Sequence, residues 1–238
     1  MTATETDTAT EKATEKATAT TTATGDEPQG NPKKRRAILN AAGTVFLRDG
    51  FTRASIDAIA AEAKVSKQTV YNHFGDKERL FMAMTDDVQD RTVARVMELM
   101  DRDFPDAAKL SGPEDLRAAL LQLTGAWVRT VYTGPLVALR KLVDAESEHH
   151  PDLLQRWFAN GPGRTMPRLN RLLSALAMAG LLDVPAEVLA VPDLLAHQLT
   201  STAGNDVRRI LHDADFEDEF ARRIEQGVDF FLRAYAPR

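Results

Sequence analysis

The chain has 238 residues, 43% of them hydrophobic, and a formal charge of -5, enough for a sizeable core in one domain or two small ones. That charge excludes a protein that coats DNA through overall positive charge, because such binding depends on neutralising phosphates. The absence of cysteine excludes disulfides, thiolate catalysis and Cys-ligated zinc.

Residues 1–30 repeat Thr, Ala, Glu and Lys irregularly, with almost no large apolar side chain to offset the entropy of ordering. A disordered tail is expected over 1–31. It lacks the apolar stretch of a signal peptide, and the longest nearly apolar run, Leu172 to Leu182, is shorter than the roughly 20 residues that span a bilayer. The chain therefore reads as soluble and cytoplasmic, with no membrane partner. Charge is local: residues 31–80 hold ten Lys/Arg against five Asp/Glu, between two acidic segments.

From Pro32 the pattern turns helical. Lys33 to Asp49 places Ile38, Ala42, Val45 and Phe46 at helical spacing and stops at Gly50. Two short helices follow, from about Ser55 to Ala63 and from about Ser66 to Phe74, each with a hydroxyl residue suited to an N-cap. After Gly75–Asp76, Lys77 to Met100 carries Leu80, Phe81, Met84, Val88 and Val96 on one stripe. Pro105, Gly112 and Pro113 mark a loop over 101–113. A helix bearing Leu116, Leu120, Leu123, Trp127 and Val131 is interrupted at Gly134–Pro135. Further helices are predicted over 136–149, 151–159, 163–180, 186–202 and 216–234, with no strand alternation. The fold class is all-α: an N-terminal three-helix helix-turn-helix domain over 32–78 and a C-terminal helical ligand-binding and dimerisation domain over 79–238.

The segment TRASIDAIAAEAKVSKQTVYNHFGDKERLF, residues 52–81, carries the chemistry. In a helix-turn-helix two short helices cross steeply, so a small residue sits at the crossing, apolar residues fill the wedge, and the outer face of the second helix enters the major groove. Ala60 is the small residue; Ile56, Ile59, Ala63, Val65, Val70 and Phe74 can fill the wedge. The outward set is then Lys67, Gln68, Thr69, Tyr71, Asn72 and His73. Gln and Asn can pair with adenine, Lys can donate to guanine, and a Thr methyl can meet a thymine methyl. Ser55, at a helix start, suits a phosphate oxygen, and Arg53 and Lys77 flank it as backbone clamps. An amphipathic hairpin with a solvated polar face is the bland alternative, which the joint spacing and local charge disfavour.

Residues 33–81 resemble the DNA-binding domain of the TetR family, through SIDAIA (Ser55 to Ala60), TVYNHF (Thr69 to Phe74) and KERL (Lys77 to Leu80). The resemblance implies that Ser55 touches phosphate, that Lys67, Thr69 and Tyr71 lie at the groove, and that His73 and Lys77 hold the backbone. Ser66 and Lys64 complete the expected DNA-binding set. Lys64 departs from the family pattern, which usually has Gly at this turn; a left-handed conformation costs Lys about 1 kcal/mol more.

The stretch YTGPLVALRKLVDAESEHHPDLLQRWFANGPGR resembles the C-terminal domain of AefR/AcrR-like members. The closing helix sets Phe216, Phe220, Ile224, Val228, Phe231 and Tyr235 on one face, which with Val188 to Leu199 is a candidate homodimer interface, or else simply closes the monomer core. A pocket for a small-molecule effector is expected among Trp127, Val131, Leu139, Leu142, Trp157, Phe158, Met166, Leu169, Leu173 and Met178, with plain packing as the alternative. Glu146, His149, His150 and Asp152 carry metal-binding atoms, but adjacent His side chains on a helix diverge by about 100°, and a helix end before Pro151 explains them; no metal or cofactor is expected. An enzyme would need converging acid, base and nucleophile or a phosphate loop, and no such motif occurs. A helical adaptor would leave the face of 67–73 without a use. The sequence thus points to a ligand-relieved repressor on palindromic double-stranded operator DNA.

Overall fold

The computed structural model describes residues 31–104, 109–204, 207–210 and 215–237, so the expected tail, apart from Asn31, lies outside the described residues, as does Pro105 of the expected loop. Among the described residues every regular element is a helix. Helix α1 (Pro32–Arg53) starts at Asn31, whose side chain accepts from the Lys33 N–H. The predicted stop at Gly50 appears as a break within α1, where Gly50 takes φ 76 and one further turn carries the chain to Arg53. Helices α2 (Ile56–Glu62) and α3 (Lys67–Phe74) follow. Helix α4 (Lys77–Asp103) runs 27 residues, roughly 40 Å at helical rise.

The remaining elements are α5 (Pro113–Tyr132), α6 (Pro135–Glu146), α7 (Pro151–Asn160), α8 (Pro162–Met178), α9 (Ala186–Leu189), α10 (Leu194–Gly204), α11 (Val207–Ile210) and α12 (Phe216–Tyr235). Proline in the first turn of α1, α5, α6, α7 and α8 gives up an N–H that has no helical partner there. The single helix predicted over 186–202 is two, because Pro192 lacks an N–H and Asp193 takes a left-handed φ of 59.

Two buried clusters hold these helices. The first gathers Ile38, Val45, Phe46, Ile59, Val70 and Leu80 from α1–α4, and adds Leu139 and Val143 of α6 with Leu153 and Trp157 of α7. The second joins the far half of α4 to α5, α8, α10 and α12. The core therefore does not follow the division at 78/79: α6 and α7, from the C-terminal part, pack on the helix-turn-helix unit.

The greasy face of α12 lies inside this second cluster. Phe220, Ile224, Val228, Phe231 and Tyr235 are buried within one chain and Phe216 is partly buried against them, as are Leu195, Ala196 and Leu199 of α10. The stripe proposed as a dimer surface is monomer core, because helical spacing reports which face is covered and not by what. Helices α10 and α12 approach so closely that a Cβ on Gly227 would stand 2.4 Å from Ala203 Cα.

Two predictions follow from this packing. Gly227→Ala meets backbone, which cannot step aside, so it should lower stability by about 2 kcal/mol, read as a fall in Tm. The Arg117 guanidinium, bonded in parallel to both Asp229 oxygens at 2.6 and 3.0 Å, holds the Asp229 carboxyl below the usual carboxylate range. A folded-state pKa below the unfolded one means the gain is complete above the ordinary value and vanishes as pH falls through the depressed one. The pair is about one-third exposed, so solvent screens it and its contribution is small. The Tm gap between wild type and Asp229→Asn should therefore close as pH drops from 6 to 3.

Candidate DNA interface and effector cavity

The turn between α2 and α3 is a Schellman motif: the Val65 N–H donates to Ala60 O at 3.0 Å and the Lys64 N–H to Ala61 O at 3.1 Å. Lys64 occupies its left-handed position with φ 55, so the turn keeps its shape and bears the cost of a side chain there. Ser55 and Ser66 are the N-caps, their hydroxyls accepting from the Ala58 and Thr69 N–H groups, each at 3.1 Å. Burial of Ile56, Ile59 and Ala60 on α2 and of Val70 and Phe74 on α3 fixes the tilt between the helices. Lys67, Gln68, Tyr71 and Asn72 are thereby exposed, while Thr69 and His73 are half-buried beside them.

That face is bonded to itself. Lys67 Nζ reaches Asp57 Oδ2 of α2 at 2.9 Å, and this carboxylate raises the pKa of the ammonium. Gln68 donates to Asn72 Oδ1 at 2.8 Å, and the Thr69 and Ser66 hydroxyls lie 2.8 Å apart. Binding to bases would exchange these exposed bonds rather than create wholly new ones, so the net gain lies in geometry and charge. Arg53 stays at the edge, its Nε on Asp49 O at 3.0 Å.

Lys77 does something other than expected. Its ammonium donates to the carbonyls of Phe51, Thr52 and Ala54 at 3.1, 3.3 and 3.2 Å and sits 4.6 Å from the Phe51 ring centroid. The ammonium thus fastens α4 to the end of α1. Lys33, Lys34 and Arg35, outside the expected set, are exposed at the start of α1, with the Arg35 guanidinium 5.4 Å from the ring of Phe74 at the end of α3. The run KKRR was the signal for them.

A cavity of about 670 Å³ lies between α4, α5, α6, the α7–α8 junction and α10. Of the predicted pocket residues Trp127, Val131, Trp157, Phe158 and Met166 line it. Leu139 and Leu142 pack toward α1 instead, Leu169 and Leu173 belong to the main core, and Met178 is 89% exposed. Gln89, Tyr132, Arg140, Asp144 and His197 are also on the wall and carried no periodic apolar signal. Arg140 lies 5.6 Å from the Trp157 ring centroid and 5.2 Å from that of Phe158, with its Nε on Asp144 at 2.7 Å. Among the described residues, no three His, Asp or Glu side chains are grouped to hold a metal, and no helix is long and apolar enough to cross a membrane.

Residues 38–84 match the family of bacterial regulatory proteins of the tetR type, and residues 118–237 match the C-terminal domain of AefR-like transcriptional repressors. The chain is 42% identical over 64 residues to the transcriptional regulator UidR of Escherichia coli, covering 27% of this chain and 33% of that one. It is 38% identical over 56 residues to the transcriptional repressor NicS of Pseudomonas putida, 24% of this chain and 26% of the relative. The matched segment thus spans about a third or less of these curated relatives. Over the whole fold, the flavonoid-responsive regulator FrrA is similar, with TM-score 0.62, 30% identity and coverage of 87% of this chain and 100% of that one. A TetR-family structure from Mesorhizobium loti shares the fold with TM-score 0.73 at 24% identity, covering 86% and 97%.

The lysine clamp gives a test. Lys77→Met should cost about 2 kcal/mol in urea unfolding, since three carbonyls lose a charged donor. The slope of log affinity for DNA against log salt should stay unchanged, whereas a lost phosphate contact would reduce it by about one.

Proposed function

The chain belongs to the tetR family of bacterial regulatory proteins, and from that premise we propose that it is a cytoplasmic, sequence-specific DNA-binding regulator, a repressor released from its operator by a small molecule. The observation that carries this reading is the outward polar face of α3, held at a set tilt by the burial of Val70 and Phe74 behind it. Lys67, Gln68, Tyr71 and Asn72 would read base edges, with Thr69 offering its methyl. Ser55, Arg53, Lys64, Ser66, His73 and the Lys33–Arg35 run would meet the backbone, which positions without specifying.

A homodimer would set two such helices about 34 Å apart on one side of a palindrome. Its interface must use faces other than the buried stripe of α12; Phe230, on the outer side of that helix, is 58% exposed. The cavity is the effector site in this reading, and the name of the similar regulator FrrA supports a small-molecule response. An effector can shift the protein toward a non-binding conformer by no more than its differential affinity for the two.

The test is a mobility-shift titration with DNA upstream of the protein's own gene. A salt-sensitive complex that requires both palindrome halves is expected. Lys67→Ala combined with Tyr71→Ala should weaken it by at least about tenfold, while sedimentation still shows a dimer. Binding that ignores sequence, or that survives the double substitution, would remove α3 as the reading helix.

A further inference from the structure

On the reading of α3 as the helix that meets base edges, one charge on that surface has the wrong sign. DNA presents phosphates, yet Asp57 stands in the first turn of α2, two residues after the Ser55 cap, with 69% of its side chain exposed. The positive end of the helix favours a carboxylate there, and an incoming phosphate oxygen competes with it for the same place. An uncompensated Asp57 would repel the backbone that Ser55 and Arg53 are to meet.

Asp57 is compensated by Lys67. Its Oδ2 accepts from Lys67 Nζ at 2.9 Å, ten residues on and in the first turn of α3, so the pair spans the two helices of the motif. The pair is net neutral and therefore adds little to binding that depends on released counterions. Lys67 is half exposed and can swing away, because a solvated pair holds weakly. On nonspecific DNA that swing would put the ammonium on a phosphate but leave the carboxylate facing other phosphates, with water displaced between them, where charges act more strongly. The gain of one contact is thus offset by a repulsion. With the pair intact, one ammonium N–H is committed to Asp57 and the other two remain for acceptors on a base edge, such as guanine O6 and N7.

We propose that Asp57 is a specificity-determining residue that acts through Lys67: it holds the ammonium for base edges and penalises its use on phosphate. Discrimination then comes from weakening the wrong complexes as much as from favouring the right one. The Gln68–Asn72 bond and the Ser66–Thr69 contact, each at 2.8 Å, join uncharged groups, so their rupture leaves the electrostatics of encounter unchanged, whereas rupture of the Asp57–Lys67 tie alters them.

The experiment uses the full chain and duplexes enriched by the wild-type protein from a random-sequence pool, each compared with a scrambled duplex of equal length. Asp57→Asn keeps the size of the side chain and removes its charge, and thermal melting checks that the fold is kept. Affinity for scrambled DNA at about 0.1 M salt should rise about fivefold, and the slope of log affinity against log salt should steepen by about one per protomer. The ratio of operator to scrambled affinity should fall by at least about fivefold. Asp57→Glu, which keeps the charge within reach of Lys67, should keep the slope. In a Lys67→Ala background, Asp57→Asn should no longer change the ratio, since no ammonium remains to redirect. An unchanged ratio in Asp57→Asn overturns the proposal. So does an effect on the ratio that persists without Lys67, which would make Asp57 a direct contact to DNA. If the wild-type protein enriches no sequence, the reading of α3 fails and this inference falls with it; an enriched operator with an unchanged ratio sinks the inference alone.

Discussion

One turn of α4, residues 86–90, ties the molecule together. Successive residues of a helix point about 100° apart, so neighbours in sequence reach different partners. Asp86 takes Arg156 and Asn160 of α7; Asp87 takes Arg36 of α1; Asp90 takes Arg164 of α8; and Gln89 holds the Trp157 carbonyl. The ion pairs are at least partly solvated, and such pairs contribute at most about 1 kcal/mol each. The burial of Trp157 is the larger effect, since an aromatic ring of that size removes well over 100 Å² from water. Packing therefore supplies the energy here, and the charges select the register in which it is realised.

Trp157 belongs at once to the core of the helix-turn-helix unit and to the wall of the cavity. No separate relay is needed between them. A change in where this ring sits is simultaneously a change in the cluster that holds α1, and His150, 5.7 Å from Phe51 ring to ring, adds a second touch between the same two parts. The outward side chains of α3 are in turn braced by bonds to one another and to α2.

How much of this could be read in the residues depended on distance along the chain. The two short helices, their caps and the odd residue at the turn lie within twenty positions, where spacing alone dictates contact; Ser55, Ser66 and Lys64 are where the pattern puts them. The tie that Lys77 makes between α4 and α1 is not legible in the sequence, because its acceptors lie 23 to 26 residues away, on backbone that no side-chain pattern announces. For the cavity, helical periodicity marks Trp127 and Leu173 alike as inward, and only the three-dimensional arrangement separates a wall from a filled core. Gln89 gave no sign of itself, since a lone polar residue on a long helix reads as surface; it is 2% exposed. The stripe on α12 reads as covered from its spacing, and of its two possible covers, a partner chain or the monomer core, the structure shows the core.

The crossing of α10 and α12 at Ala203 and Gly227 has a mechanical meaning. With backbone against backbone, that side of the cavity behaves as an anvil: α10 has nowhere to retreat. The opposite side is made of α6 and the junction at Gly161–Gly163, with the half-exposed Phe158 at its rim. That opposite side, through α6, is the one that packs on α1 of the helix-turn-helix unit.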